Sequence, residues 1–123
     1  MAAKDYSELL VWQKAMDLAE EVYRVTKKLP KEETFALSDQ MRRSAVSVPS
    51  NIAEGQGRGS SKEFLHFLSV AKGSKAELET QLRLCVRVGY LSDEEVSAAM
   101  GLSGEVGKMF NALKKTLSPS PVP

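Results

Sequence analysis

Histidine and cysteine are almost missing from this 123-residue chain, which has one of each, and that scarcity removes much of the chemistry a small protein could perform. Cys85 alone makes neither an internal disulfide nor a multi-cysteine metal site; it fits a reducing compartment and reads as a small apolar core residue. His66, the only histidine, leaves no Ser-His-Asp or Cys-His arrangement legible. Glu63-Phe-Leu-His66 has the spacing found in di-iron bundles, but such a centre needs two of these motifs and two further glutamates. No catalytic residue, metal or cofactor is therefore expected, and His66 reads as a surface or interface residue. Long apolar runs are also lacking, and the opening Met-Ala-Ala-Lys-Asp-Tyr has no apolar stretch behind its lysine. A membrane span and a secretory signal are not readable, so the expected location is the cytoplasm, with no membrane partner.

Strong charge of either sign is absent as well. The net charge is +1, far from the balance that announces nucleic-acid binding by itself. The cations gather in the middle, where residues 37–90 hold eight Lys/Arg against five Asp/Glu. Apolar residues at 42% and charged residues at 27% are the proportions of a globular chain, and this length suits one domain.

Helical periodicity fills most of the sequence. Leu9, Trp12, Met16, Ala19, Tyr23 and Thr26 recur every three or four residues and predict a helix buried along that stripe, with Asp5 and Glu8 as an acidic start and Leu29-Pro30 as the stop. Leu37, Met41, Ala45, Val48 and Ile52 predict a second helix, in which Pro49 implies a kink or a break near residues 46–48. Gly55-Gln-Gly-Arg-Gly ends it; the same run resembles part of a phosphate loop but lacks the preceding strand and the Gly-Lys-Ser/Thr that such a loop needs. Ser60 with Glu63, and Ser92 with Glu95, each match a capping box. The first opens a helix through Phe64, Leu68, Ala71, Leu78, Leu82 and Cys85, and the second opens one through Val96, Met100, Val106, Phe110, Leu113 and Leu117. The expected fold is thus all-α: an antiparallel up-down-up-down four-helix bundle kinked at Pro49, one domain over residues 1–117, with helices at about 7–29, 34–55, 60–89 and 92–117. Residues 118–123, rich in proline, are expected to be a disordered tail.

Two surfaces of this bundle stand out. Arg43, Ser47, Asn51, Glu54 and Arg58 share one polar face of the second helix, while Val46, Pro49 and Ala53 widen its apolar arc beyond what one core needs. That combination suits a subunit interface over Arg43, Ser47, Asn51, Glu54, Gly73 and Ser74, although an ordinary solvated face also fits. Gly73-Ser74, and the helix-four glycines Gly101, Gly104 and Gly107, suggest close backbone approach or a subunit contact. Arg42, Arg43, Arg58, Lys72, Lys75, Arg83 and Arg87 are the candidate phosphate contacts, with Lys72, Arg83 and Arg87 projecting toward one side of the third helix; Glu77 and Glu79 dilute them, and no interleaved aromatics offer base stacking.

Several segments carry a resemblance. Leu10-Val-Trp-Gln-Lys-Ala-Met16, Gln40-Met-Arg-Arg43, Ser47-Val-Pro-Ser-Asn-Ile-Ala-Glu-Gly55 with Arg58, and Ala71-Lys-Gly-Ser-Lys-Ala-Glu-Leu-Glu79 closely resemble the bacterial four-helix-bundle proteins encoded in the 23S ribosomal RNA intervening sequence. The likeness spans residues 9 to about 117 and takes in Trp12, Pro49 and Glu77 as further signature positions; Gln56 stands where an aromatic is expected. It implies a homo-oligomeric ring, of five subunits, with ribosomal RNA or another nucleic acid as a partner. The competing expectation is a protein-interaction scaffold that binds no nucleic acid.

Overall fold

The computed structural model describes residues 5–118. Four helices account for most of them: α1 (Leu10–Thr26), α2 (Leu37–Gly57), α3 (Ser61–Arg87) and α4 (Asp93–Leu117). No strand occurs among the described residues. Each helix packs on two others in the closed cycle α1–α2–α3–α4, with α2 against α3 the most extensive junction.

Two clusters of buried side chains fill the centre. One joins Leu18, Val22 and Val25 of α1 to Met41 and Ala45 of α2, Leu78, Leu82 and Cys85 of α3, and Val96 and Ala99 of α4. The other joins Val11 and Ala15 to Val48 and Ile52, Leu68 and Ala71, and Val106 and Phe110. Each cluster thus takes the late half of one helix and the early half of the next, the pairing that reversal of direction from helix to helix produces. Full burial of a Leu, Ile or Val side chain is worth about 1.5–3 kcal/mol, so these rows are the main term holding the helices together.

The stripe expected to face the core in α1 is not the one that does. Val11, Ala15, Leu18, Val22 and Val25 are buried, whereas Met16 and Tyr23 are 44% and 45% exposed and Trp12 is half-buried. The two rows lie roughly 100° apart around the helix, and both have helical spacing. Ala19 and Thr26 are buried as expected.

The ends of the helices also depart from expectation. Asp5 caps a separate 3₁₀ turn over Tyr6–Glu8, accepting from the Ser7 amide at 2.7 Å, and α1 begins later at Leu10 with no side-chain cap. A second 3₁₀ turn, Lys31–Glu33, fills the connection to α2. α2 is one unbroken run with buried Pro49 inside it, so there is no break at residues 46–48. It continues to Gly57, and Gly59 with φ +81° turns the chain. At α3, Ser60 accepts from the Glu63 amide at 3.2 Å, but its hydroxyl rather than its amide meets the Glu63 carboxylate. Only at α4 are both halves of the box formed, Glu95 N to Ser92 Oγ at 3.1 Å and Ser92 N to Glu95 Oε1 at 2.9 Å. α3 closes on Gly89, φ +86°, with the Tyr90 amide reaching back to the Cys85 carbonyl at 2.9 Å, a Schellman pattern that needs a residue tolerant of the left-handed region. α4 stops at Leu117 and Ser118 is extended; the remainder of the expected tail lies outside the described residues.

Candidate functional site

The polar face of α2 resolves into local pairs and one bridge to α3. Arg43 Nε donates to Asp39 Oδ2 at 2.9 Å, and Arg58 donates to Glu54 Oε2 at 3.0 and 3.1 Å; both pairs are exposed. Between them Ser47 Oγ and Ser74 Oγ are 2.7 Å apart, and the Asn51 amide donates to both Ser47 Oγ and the Ser47 carbonyl. Ser47, Asn51 and Ser74 therefore satisfy one another within the chain and form a half-buried polar link between α2 and α3. Gly73 is exposed with open space above its Cα, as are Gly101 and Gly104, so none of the three marks a close crossing inside this chain.

The close crossing is at Gly55 instead. A Cβ there would stand 2.7 Å from Phe67 Cβ and 3.1 Å from Phe64 Cδ1, so α2 and α3 approach too tightly for any other residue without movement. Arg58, one turn on, lies 5.1 Å from the centroid of the Phe67 ring.

The seven candidate cations separate into two groups. Arg42 and Arg43 on α2, and Arg58 at its C-terminal cap, all have partners in the chain, Arg42 through a bond from Nη2 to the Thr34 carbonyl at 3.2 Å. On α3, Lys75 is half-buried and pairs with Glu79 at 2.9 Å, and the buried Ser103 hydroxyl of α4 donates to the same carboxylate. Burial raises the Glu79 pKa, but the bonds from Ser103 and Lys75 outweigh it and hold the carboxyl below its usual range. Lys75 is consequently committed to the α3–α4 contact; its Nζ is 3.2 Å from where a Cβ on Gly107 would stand.

Lys72, Arg83 and Arg87 remain. Eleven and four residues apart, they fall within about 60° of one another around α3 and span about 22 Å along it. All three are exposed, and none makes a hydrogen bond or ion pair with a described residue. At one end Lys72 shares a hollow of about 260 Å³ with Lys114 of α4; at the other, Arg83 and Arg87 line one of about 370 Å³ with Asp93 and Met100. Lys114 was not among the expected cations; its place in the last turn of α4, at the same end of the bundle as the start of α3, was the available clue.

The residues displaced from the α1 core form a second surface. Trp12, Met16 and Tyr23 of α1 face Val46, Pro49 and Ala53 of α2 across an open groove of about 810 Å³. Tyr6 closes one end by packing edge-on to Trp12 with ring centroids 5.2 Å apart. The widened apolar arc of α2 thus has a counterpart on α1. Among the described residues no group of three or more His, Cys, Asp or Glu is arranged to hold a metal ion, and no helix is long and apolar enough to cross a membrane.

Similarity to known proteins agrees with this architecture. The sequence model of a family described as 23S rRNA-intervening sequence protein matches residues 7–112. A crystal structure of a protein with unknown function from the S23 ribosomal protein family of Bacteroides thetaiotaomicron superposes with a TM-score of 0.77 at 27% identity, covering 89% of this chain and all of that one. No curated protein matches.

Proposed function

We propose that this chain, which belongs to the 23S rRNA-intervening sequence protein family, is a non-enzymatic oligomeric bundle of the cytoplasm that binds structured RNA along its α3–α4 side. The observation that carries the reading is the row Lys72, Arg83 and Arg87, joined by Lys114, whose cationic groups have no bonded anion among the described residues, although the Arg83 charge is felt by Glu79. An exposed cation without a partner contributes little to folding, and phosphate is the ligand that a spaced row of such cations attracts. The α2 arginines are weaker candidates, since each would first give up a bond it already makes. In a ring of copies, five in the arrangement its sequence resembles, each such row would repeat around the assembly and multiply weak contacts into avidity.

Binding of the full chain to a structured ribosomal RNA fragment, titrated against salt, tests this. Phosphate-driven affinity falls linearly on a log–log plot, and Lys72→Ala, Arg83→Ala and Arg87→Ala should each lower the slope by about one released ion per contact per subunit. Absence of any affinity at low salt overturns the reading. It would leave the alternative, a protein-interaction scaffold without nucleic acid, which the open α1–α2 groove favours.

A further inference from the structure

The groove between α1 and α2 and one side chain outside it are complementary. Phe35 is 94% exposed, the most exposed large apolar residue of the described chain. It does not belong to a mobile-looking stretch: the turn that carries it is fixed on both sides. Glu33 accepts from the Leu37 amide at 3.2 Å and from the Tyr90 hydroxyl at 2.8 Å, tying the turn to the start of α2 and to the α3–α4 connection. Arg42 Nη2 donates to the Thr34 carbonyl at 3.2 Å from the other side. The ring is thus held out into water by a braced backbone, which lowers the ordering cost of inserting it into a partner.

We infer that Phe35 inserts into the α1–α2 groove of a second copy of this chain. The groove offers what an aromatic anchor needs, with Trp12, Met16 and Tyr23 on one wall and Val46, Pro49 and Ala53 on the other. Phe35 does not occupy the groove of its own chain, since almost all of its surface is exposed. Charge agrees with this pairing. Around the turn, Lys28 is paired with Glu95 at 3.3 Å, leaving Lys27, Lys31 and Arg42 against Glu32 and against Glu33, which keeps its charge while accepting from the Tyr90 hydroxyl. Along the groove, Glu54 is paired with Arg58 while Glu20 bonds to no described residue, so a mildly positive turn meets a groove lining whose unpaired charge is the Glu20 carboxylate. Because the anchor and the groove are different patches, each copy gives one and receives one. Repetition of that step generates a ring when the rotation closes, and a filament when it does not.

This inference rests on the oligomeric reading above, and the experiment separates the two. The mass of the full chain is measured by light scattering for the wild type, for Phe35→Ser and for Met16→Lys, with circular dichroism as the check on folding. Both substitutions are at exposed positions, so each variant should fold. The expected result is an oligomeric wild type and two monomeric variants. Mixed in equal amounts, the variants should form a 1:1 pair, because Met16→Lys still offers Phe35 and Phe35→Ser still offers an intact groove. Retention of the wild-type mass by folded Phe35→Ser, or no pairing on mixing, overturns the Phe35 contact and leaves the oligomer standing. A monomeric wild type overturns both.

Discussion

Gly55→Ala should loosen the α2–α3 junction, and the size of the effect follows from the geometry around it. Replacing glycine by alanine inside a helix ordinarily gains up to about 1 kcal/mol, because alanine loses less backbone freedom on folding. At Gly55 the new methyl would stand 2.7 Å from Phe67 Cβ, 3.1 Å from Phe64 Cδ1 and 3.3 Å from the Phe64 carbonyl oxygen. Neither Phe67 Cβ nor a helical carbonyl is the free end of a flexible side chain, so relief requires the helices to move apart. Overpacking of this kind costs about 1–3 kcal/mol. Gly104 in α4 is the matched control, exposed with nothing within 4 Å of its added Cβ. Helix propensity largely cancels between the two variants, and the difference isolates the clash at about 1–3 kcal/mol. In a chain of this size that separates their melting temperatures by roughly 3–12 °C. Urea denaturation followed by circular dichroism at fixed protein concentration is the direct assay, since assembly would otherwise shift the apparent stability. Equal stabilisation of both variants would refute the close approach. Arg58→Ala alongside them reports whether the contact over Phe67 persists once the helices are displaced.

Two further outcomes follow from buried polar chemistry. Glu79 has its folded-state pKa below its ordinary value of 4.5, so it contributes stability above pH 4.5 that is lost as the pH falls through the lowered value. Glu79→Gln should therefore flatten part of the acid limb of stability against pH, and indistinguishable slopes for the two proteins would contradict the Ser103–Lys75 contacts as its cause. Cys85 is wholly buried, and burial, with a smaller effect from Glu33, pushes its thiol pKa up. A thiol reagent at pH 8 should label the native chain orders of magnitude more slowly than the urea-unfolded chain, and rapid native labelling would contradict that packing.

Four helices, their approximate limits and most of the core of α2 and α3 were legible in the sequence because apolar spacing and capping residues act locally. Ser92 and Glu95 form their box as read, and Met41, Val48, Ile52, Leu78 and Leu82 are buried as read. Where two signals competed, local pattern was insufficient. α1 has apolar residues over more than half its circumference, so two rows with the same period were available; the row that met α2, α3 and α4 became the core, and Trp12, Met16 and Tyr23 were left to line the groove. Spacing in the sequence already put Lys72, Arg83 and Arg87 on one side of α3, but it did not show which of the seven cations would find partners. Packing put Lys75 beneath α4 against Glu79 and Ser103, and folding placed a bonding partner beside Arg42, Arg43 and Arg58, while Lys72, Arg83 and Arg87 bond to none of the described residues. Gly55 and Phe35 carry no periodic signal, since one is defined by what approaches it and the other by what does not. Periodicity along a chain determines that a helix forms and, to within a few residues, where it lies. Which face it buries, how near its neighbour comes and which charges stay unpaired depend on residues distant in sequence, and only the tertiary structure brings those together.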